Sequence, residues 1–85
     1  MSTAEKLLGK LISKPIPRDF LWTDLVTLLR KLGYQEISGN GSRRKFIHLD
    51  TKKIIAMHEP HPDKNLRVYQ VGLVVDSLKE AGLIK

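Results

Sequence analysis

Residues Tyr34 to His58 read YQEISGNGSRRKFIHLDTKKIIAMH, and this stretch decides the fold. Three short runs rich in apolar and β-branched residues are separated in it by two turn-forming sequences, Gly39–Gly41 and Asp50–Lys52. Turns this short allow only antiparallel pairing of the runs that they connect. We therefore predict three antiparallel strands, over Tyr34–Ser38, Arg43–Leu49 and Lys53–His58.

A helix is predicted on each side of this stretch. The first covers about Trp22 to Leu32 and ends at Gly33, which suits a left-handed cap. Its apolar face is predicted to consist of Leu25, Leu28, Leu29 and Leu32. The second covers about Leu66 to Ala81 and ends at Gly82. The apolar residues predicted on one side of it are Val68, Val71, Val75 and Leu78.

The chain begins with an additional segment. A one-sided leucine pattern predicts a helix over Ser2–Ile12, and Pro15 and Pro17 end it because proline lacks an amide hydrogen. The fold class is thus α+β, with a three-stranded antiparallel sheet and helices packed on one face. We expect one domain over residues 1–85, with the N-terminal helix and proline-rich connector in 1–17 and the core in 22–84.

Composition excludes several kinds of protein. The 85 residues contain no cysteine, which rules out a disulfide scaffold and a thiolate zinc site. No apolar run approaches the roughly 18 residues that a bilayer-spanning helix needs, and the chain does not open with a signal peptide. We therefore expect a cytoplasmic protein. Fifteen Lys and Arg against nine Asp and Glu leave a net charge of +6, which suits a polyanionic partner but does not prove one.

A third of the positive charge lies in and beside the second strand. Eleven residues there hold five of the fifteen Lys and Arg residues: Arg43, Arg44, Lys45, Lys52 and Lys53. Strand alternation predicts Arg43 and Lys45 on one side, where they can contact successive phosphates, and Arg44 and Phe46 on the other. The alternative is a solvated hairpin whose charges only keep an edge strand from aggregating.

The chain resembles the HicA toxins of bacterial HicA–HicB toxin–antitoxin pairs over about residues 22–84. The resemblance rests on the helix exit at Leu32-Gly33-Tyr34, on the run Gly41-Ser42-Arg43-Arg44-Lys45-Phe46, on Ile54–His58 and on the closing Ala81-Gly82-Leu83. It implies a fold like that of double-stranded-RNA-binding domains. It also implies an mRNA-cleaving toxin, neutralised when a HicB antitoxin covers its active face.

One position departs from the family pattern. The resemblance implies Gly-Ser-His where this chain has Gly41-Ser42-Arg43, and the family histidine is the presumed catalytic residue. The arginine side chain is already protonated at neutral pH and so cannot act as a base, but it is well suited to stabilising a phosphate. Arg43 is therefore predicted to clamp the phosphate, and another residue must transfer the proton.

Three histidines are candidates for that transfer, because the imidazole group titrates near neutral pH. His58 matches a histidine that the family carries at the end of the third strand, so it is the preferred candidate, although it can equally end the strand as a polar cap. Alternation places His48 on the face opposite Arg43, as a surface or packing residue. His61 lies in a loop, and with His58 it is too sparse a ligand set to predict a metal site.

The predicted function is a toxin that binds mRNA and cleaves it without metal or other cofactor. The catalytic residues are predicted to be Arg43 and His58. The predicted RNA-binding residues are Ser42, Arg43, Arg44, Lys45 and Lys53, and the predicted partners are RNA and a HicB-like antitoxin. The alternatives are an RNA-binding module that has lost cleavage and a protein-interaction module that uses a sheet edge and the N-terminal helix.

Overall fold

The computed structural model describes residues 3–38, 41, 43–60 and 64–84. The elements within these ranges are, in chain order, α1 (Thr3–Leu11), α2 (Trp22–Lys31), β1 (Tyr34–Ser38), β2 (Arg43–His48), β3 (Ile54–His58) and α3 (Val68–Glu80). The order and the α+β class are those predicted, including the extra N-terminal helix. The ends differ from the prediction by one or two residues, as expected where helices and strands fray. None of the helices in the described ranges is long and apolar enough to cross a membrane.

The three strands form one antiparallel sheet in the order β1-β2-β3. In this register Arg43 of β2 lies opposite His58 of β3, and Tyr34 of β1 lies opposite His48 of β2. Alternate residues point to opposite faces, so this register sorts the side chains of all three strands into two sets.

The helices cover one face of the sheet and leave the other open to solvent. We call the first the covered face, and its residues are Tyr34, Glu36, Arg44, Phe46, His48, Ile55 and Met57. All of these except Glu36 and Arg44 are buried. We call the second the open face, and its residues are Gln35, Ile37, Arg43, Lys45, Ile47, Ile54, Ala56 and His58. Of these, only Ile47 is even half-buried.

The core lies between the covered face and the three helices. α2 supplies Leu25, Leu28 and Leu29, which are fully buried as predicted, whereas Leu32 is only half-buried. α1 supplies Leu11, which is buried in the same cluster, so the N-terminal helix is an integral part of the core. Trp22 is buried against Phe46, with 5.7 Å between the ring centroids. It is therefore a core residue and not a surface for base stacking.

The buried side of α3 is not quite the predicted one. Val71 and Leu78 are buried as expected, but Val68 is 40 % exposed and Val75 is half-buried. Val74 and Gln70 are buried instead. Val74 is three or four residues from each of the other three, so the four lie on one stripe of the helix. The apolar pattern did not distinguish Val74 from Val75, and it left out Gln70 because that residue is polar.

Candidate functional site

The open face carries a row of positive charge at one end of the sheet. Arg43 and Lys45 are both exposed, and two residues along a strand separate them by about 7 Å. This confirms the predicted alternation, since Arg44 and Phe46 lie on the covered face. Within the described part of the chain, no carboxylate pairs with Arg43 or Lys45.

The sheet brings Arg43 and His58 together. They are direct cross-strand partners of β2 and β3, and residues in that relation have Cα atoms about 4.5–5.5 Å apart. Both side chains are exposed on the open face. A shallow depression of about 250 Å3 lies at this end of the sheet, and it is lined by Arg43, Arg44, Lys45, Ala56, Met57 and His58. A guanidinium and an imidazole thus lie side by side at one surface site.

The side chain of Arg44 lies on the opposite face of the sheet from those of Arg43 and His58. It is 24 % exposed, and its guanidinium contacts Glu36 at 3.8 Å and Glu59 at 3.4 Å. It also donates hydrogen bonds to the carbonyl oxygens of Gly41, at 2.9 Å, and Arg43, at 2.8 Å. The structure thus gives this predicted RNA-binding residue a set of protein partners.

Of the other two predicted RNA-binding residues, the structure describes only Lys53, and it lies away from the basic row. Lys53 precedes β3 at the far end of the sheet, and its ammonium donates to the carbonyl oxygen of Glu80 at the end of α3, at 3.0 Å. A positive charge there is favourable because the last carbonyl groups of a helix are partly negative. Ser42 lies outside the described residues, and so does His61.

His48 was predicted to be a surface or a packing residue, and in the structure it is a packing residue. It is 6 % exposed, on the covered face. One ring nitrogen, Nδ1, lies 3.2 Å from the backbone N–H groups of both Asp50 and Thr51, and the other, Nε2, lies 3.0 Å from the carbonyl oxygen of Leu32. These partners assign the proton to Nε2 and leave Nδ1 as an acceptor. The ring thereby joins the end of α2 to the β2–β3 turn.

Two neighbours make this end of the covered face sensitive to substitution. Gly33 adopts φ +98°, and a Cβ atom there would lie 3.1 Å from Nε2 of His48. Tyr34 packs edge-on against the His48 ring at a centroid distance of 4.9 Å. Its buried hydroxyl has no hydrogen-bond partner among the described residues. Burial raises the pKa of Tyr34 above its ordinary value because the charged phenolate would lose its hydration.

Comparison with known proteins adds the family. A family described as the HicA toxin of bacterial toxin–antitoxin systems matches residues 22–83, which is most of the chain. The chain belongs to the HicA toxin family. It is therefore the toxin of a toxin–antitoxin system, and its family implies an antitoxin as partner. No curated protein and no solved structure is similar enough to match it.

The match leaves the N-terminal segment of this HicA toxin outside the family region. α1 and the proline-containing connector precede residue 22, yet Leu11 is 1 % exposed in the common core. The N-terminal segment is thus an addition to the matched region that packs onto it.

One residue that contacts the site of this HicA toxin was not predicted from the sequence. Gln70 is 2 % exposed in α3, and its side-chain N–H group donates to the backbone carbonyl of His58 at 2.8 Å. Its amide oxygen accepts from the backbone N–H of Arg67 at 3.0 Å, so both ends of the amide are used. A glutamine within an otherwise apolar helical stripe is the only sequence feature that pointed to it.

A metal site requires several ligand side chains close together. Within the described ranges, no three His, Asp or Glu side chains come together as metal ligands. The loop position His61, which the sequence offered as a second ligand beside His58, lies outside those ranges. The described side chains at the site include the guanidinium of Arg43, the ammonium of Lys45 and the imidazole of His58.

Proposed function

We propose that this toxin binds RNA on the open face of its sheet and cleaves it by metal-free transesterification. The observation that carries the proposal is the cross-strand pairing of Arg43 with His58 on an exposed surface. The exposed Lys45 extends the positive charge along the same strand. These features match what RNA cleavage requires: positive charge for a phosphate and a proton-transfer group within reach of it.

The chemistry uses the nucleophile that RNA itself carries. The ribose 2′-oxygen attacks the adjacent phosphorus, its proton leaves to a base, and the bond to the 5′-oxygen breaks as that oxygen gains a proton. The products are a 2′,3′-cyclic phosphate and a 5′-hydroxyl end. His58 transfers the proton, and Arg43 stabilises the charge that develops on the phosphate oxygens, for which its two-pronged guanidinium is well shaped.

The remaining predicted contacts have separate places in this proposal. Lys45 binds the neighbouring phosphate, and Ser42 is proposed to contact the RNA beside Arg43. Lys53 remains a predicted contact for RNA that extends to the far end of the sheet. The antitoxin is proposed to be HicB-like.

The test is an RNA cleavage assay with purified protein in the presence of a chelator. Wild type should cleave a single-stranded RNA into fragments with the ends given above. Arg43→Ala should lower kcat about 100-fold or more, because it removes a group that stabilises the transition-state charge. His58→Gln should lower it by about 100-fold to 10,000-fold. Arg18→Ala is the matched control, since Arg18 is an exposed arginine in the connector. In a bacterial host, induction of wild type should arrest growth and induction of either site variant should not.

Three outcomes separate this function from its alternatives. Cleavage that disappears with the chelator would contradict the metal-free mechanism. Salt-sensitive RNA binding without cleavage would show an RNA-binding module that does not cut. An absence of RNA binding at low salt, with antitoxin binding intact, would show a protein-interaction module.

A further inference from the structure

The side chain of Arg44 lies on the covered face, next to the backbone of the cross-strand pair Arg43 and His58. Neighbouring residues in a strand point to opposite faces, so Arg44 lies directly behind Arg43. In β3 its cross-strand partner is Met57, the residue before His58. Arg44 is thus next to both halves of the proposed catalytic pair through the backbone, while its side chain lies on the other side of the sheet.

The contacts of Arg44 join three segments of the chain. One nitrogen, Nη1, donates to the carbonyl oxygens of Gly41, at 2.9 Å, and Arg43, at 2.8 Å, which fixes the start of β2. Nη2 lies 3.4 Å from the carboxylate of Glu59, the residue that follows His58. Nε lies 3.8 Å from the carboxylate of Glu36 in β1.

The charge around Arg44 disfavours contact with RNA. Two carboxylates surround one guanidinium, so a phosphate would have to displace them or lie against their negative charge. Arg43 has no such carboxylate among the described residues, although it is the next residue in the chain. The two arginines therefore have different electrostatic surroundings, and only Arg43 has a guanidinium suited to a phosphate.

We propose that Arg44 is a positioning residue that, through Glu59 and the carbonyl of Arg43, holds Arg43 and His58 in their cross-strand relation. Gln70 holds the backbone of His58 from α3 in the same way. Displacement of catalytic groups by about 1 Å is enough to lower a rate about 100-fold, so a support of this kind affects kcat more than binding. The proposal rests on the proposed function for its effect on cleavage, but its structural part stands without cleavage.

The test compares Arg44→Gln, Glu59→Gln and the double variant with the variants Lys10→Gln and Asp19→Asn. Lys10 and Asp19 form another partly exposed ion pair, at 3.5 Å, between α1 and the connector, and they are the matched control. We expect either site substitution to lower kcat about 10-fold to 100-fold. The double variant should be little worse than either single one, because both changes break the same link. The control variants should keep kcat within about twofold of wild type.

Binding is measured separately, with an RNA in which deoxyribose at the cleavage site prevents the reaction. The dissociation constant of each site variant should stay within about twofold of wild type, and so should its salt dependence. If Arg44 contacts a phosphate instead, Arg44→Gln will weaken binding and reduce the slope of log K against log salt by about 0.7. Glu59→Gln will then tighten binding, because it removes a negative charge. That pair of results would overturn the proposal.

A measurement that needs no cleavage keeps this inference distinct from the proposed function. Amide hydrogen exchange should accelerate at residues 43, 44, 58 and 59 in Arg44→Gln and in Glu59→Gln, and not in the control variants. If wild type does not cut RNA but hydrogen exchange at these amides accelerates in the two site variants, the proposed function fails and the positioning role stands. Unchanged exchange in both site variants would refute the positioning role, whatever the RNA assay shows.

Discussion

The two faces of the sheet differ in their surroundings, although the same three strands form both. Phe46 and Ile55 on the covered face are at most 2 % exposed, whereas Ile54 and His58 on the open face are exposed. The covered face gains its stability from apolar burial against the helices. The open face keeps charged and polar side chains in solvent, where they can meet a ligand. We therefore expect substitutions on the covered face to change stability and those on the open face to change activity, and the proposed positioning role of Arg44 is the exception.

The largest expected effect is on the covered face. Phe46 is fully buried against Trp22, so Phe46→Ala leaves a cavity and should lower the free energy of unfolding by about 3–5 kcal/mol. Small domains are stable by only about 5–15 kcal/mol in total, so this variant should be close to unfolding at room temperature. Urea denaturation followed by the fluorescence of Trp22, the single tryptophan, measures the change.

The matched substitution on the open face is Ile54→Ala. Ile54 is 57 % exposed in the strand next to Phe46, and the loss should be no more than about 0.5 kcal/mol. Equal losses at Phe46 and Ile54 would contradict the division of the sheet into a structural face and a solvent-exposed face.

A smaller effect is expected at the edge of the covered face. Gly33→Ala places a side chain on a backbone with φ +98° and brings its Cβ within 3.1 Å of His48. Strain of this kind costs about 1–3 kcal/mol, which thermal unfolding will show as a lower Tm. Gly9→Ala in α1 is the control, because a Cβ there meets nothing within 4 Å. Alanine favours a helix over glycine by about 0.5–1 kcal/mol, so the control should raise Tm. A rise in Tm for Gly33→Ala would show that the His48 contact does not restrict this position.

The smallest effect concerns the buried hydroxyl of Tyr34. Burial raises the folded-state pKa of Tyr34 above the unfolded value of 10.0, so above that pH the unfolded chain loses a proton that the folded one retains. The contribution to stability is complete below pH 10.0 and is lost as the pH rises further toward the folded-state pKa. Tyr34→Phe should therefore reduce the alkaline loss seen in denaturation curves between pH 9 and 11.

At neutral pH, Tyr34→Phe should change stability by less than about 1 kcal/mol, because the hydroxyl has no described partner to lose. Tyr69→Phe is the control, since that ring is 67 % exposed, and it should leave the alkaline loss in place. A large loss of stability in Tyr34→Phe at neutral pH would show that the hydroxyl has a partner after all.

Much of the fold was predictable because its patterns are local. The three strands, α2 and the glycine cap at Gly33 follow from alternation, helical spacing and turn residues, which depend on neighbours a few positions away. Strand alternation also predicted that Arg44 and His48 lie on the other face of the sheet from Arg43. The structure confirms both placements.

Other features depend on residues far apart in the sequence. The register sets Arg43 opposite His58, fifteen positions later, and a strand pattern alone cannot fix that pairing. The buried amide of Gln70 and the two carboxylates around Arg44 involve partners on separate elements. Reading the positive charges as one group therefore assigned Arg44 to RNA together with Arg43, since a sequence does not show which arginine meets a carboxylate.

Local periodicity and composition were enough to predict the element order, the two sets of side chains along each strand and the concentration of positive charge in β2. Three features became clear only from the folded chain: which set the helices cover, which arginine is paired within the protein and which histidine lies beside Arg43. Those outcomes depend on packing between segments that are distant in the chain, where burial and charge pairing choose among arrangements that local patterns leave equally open.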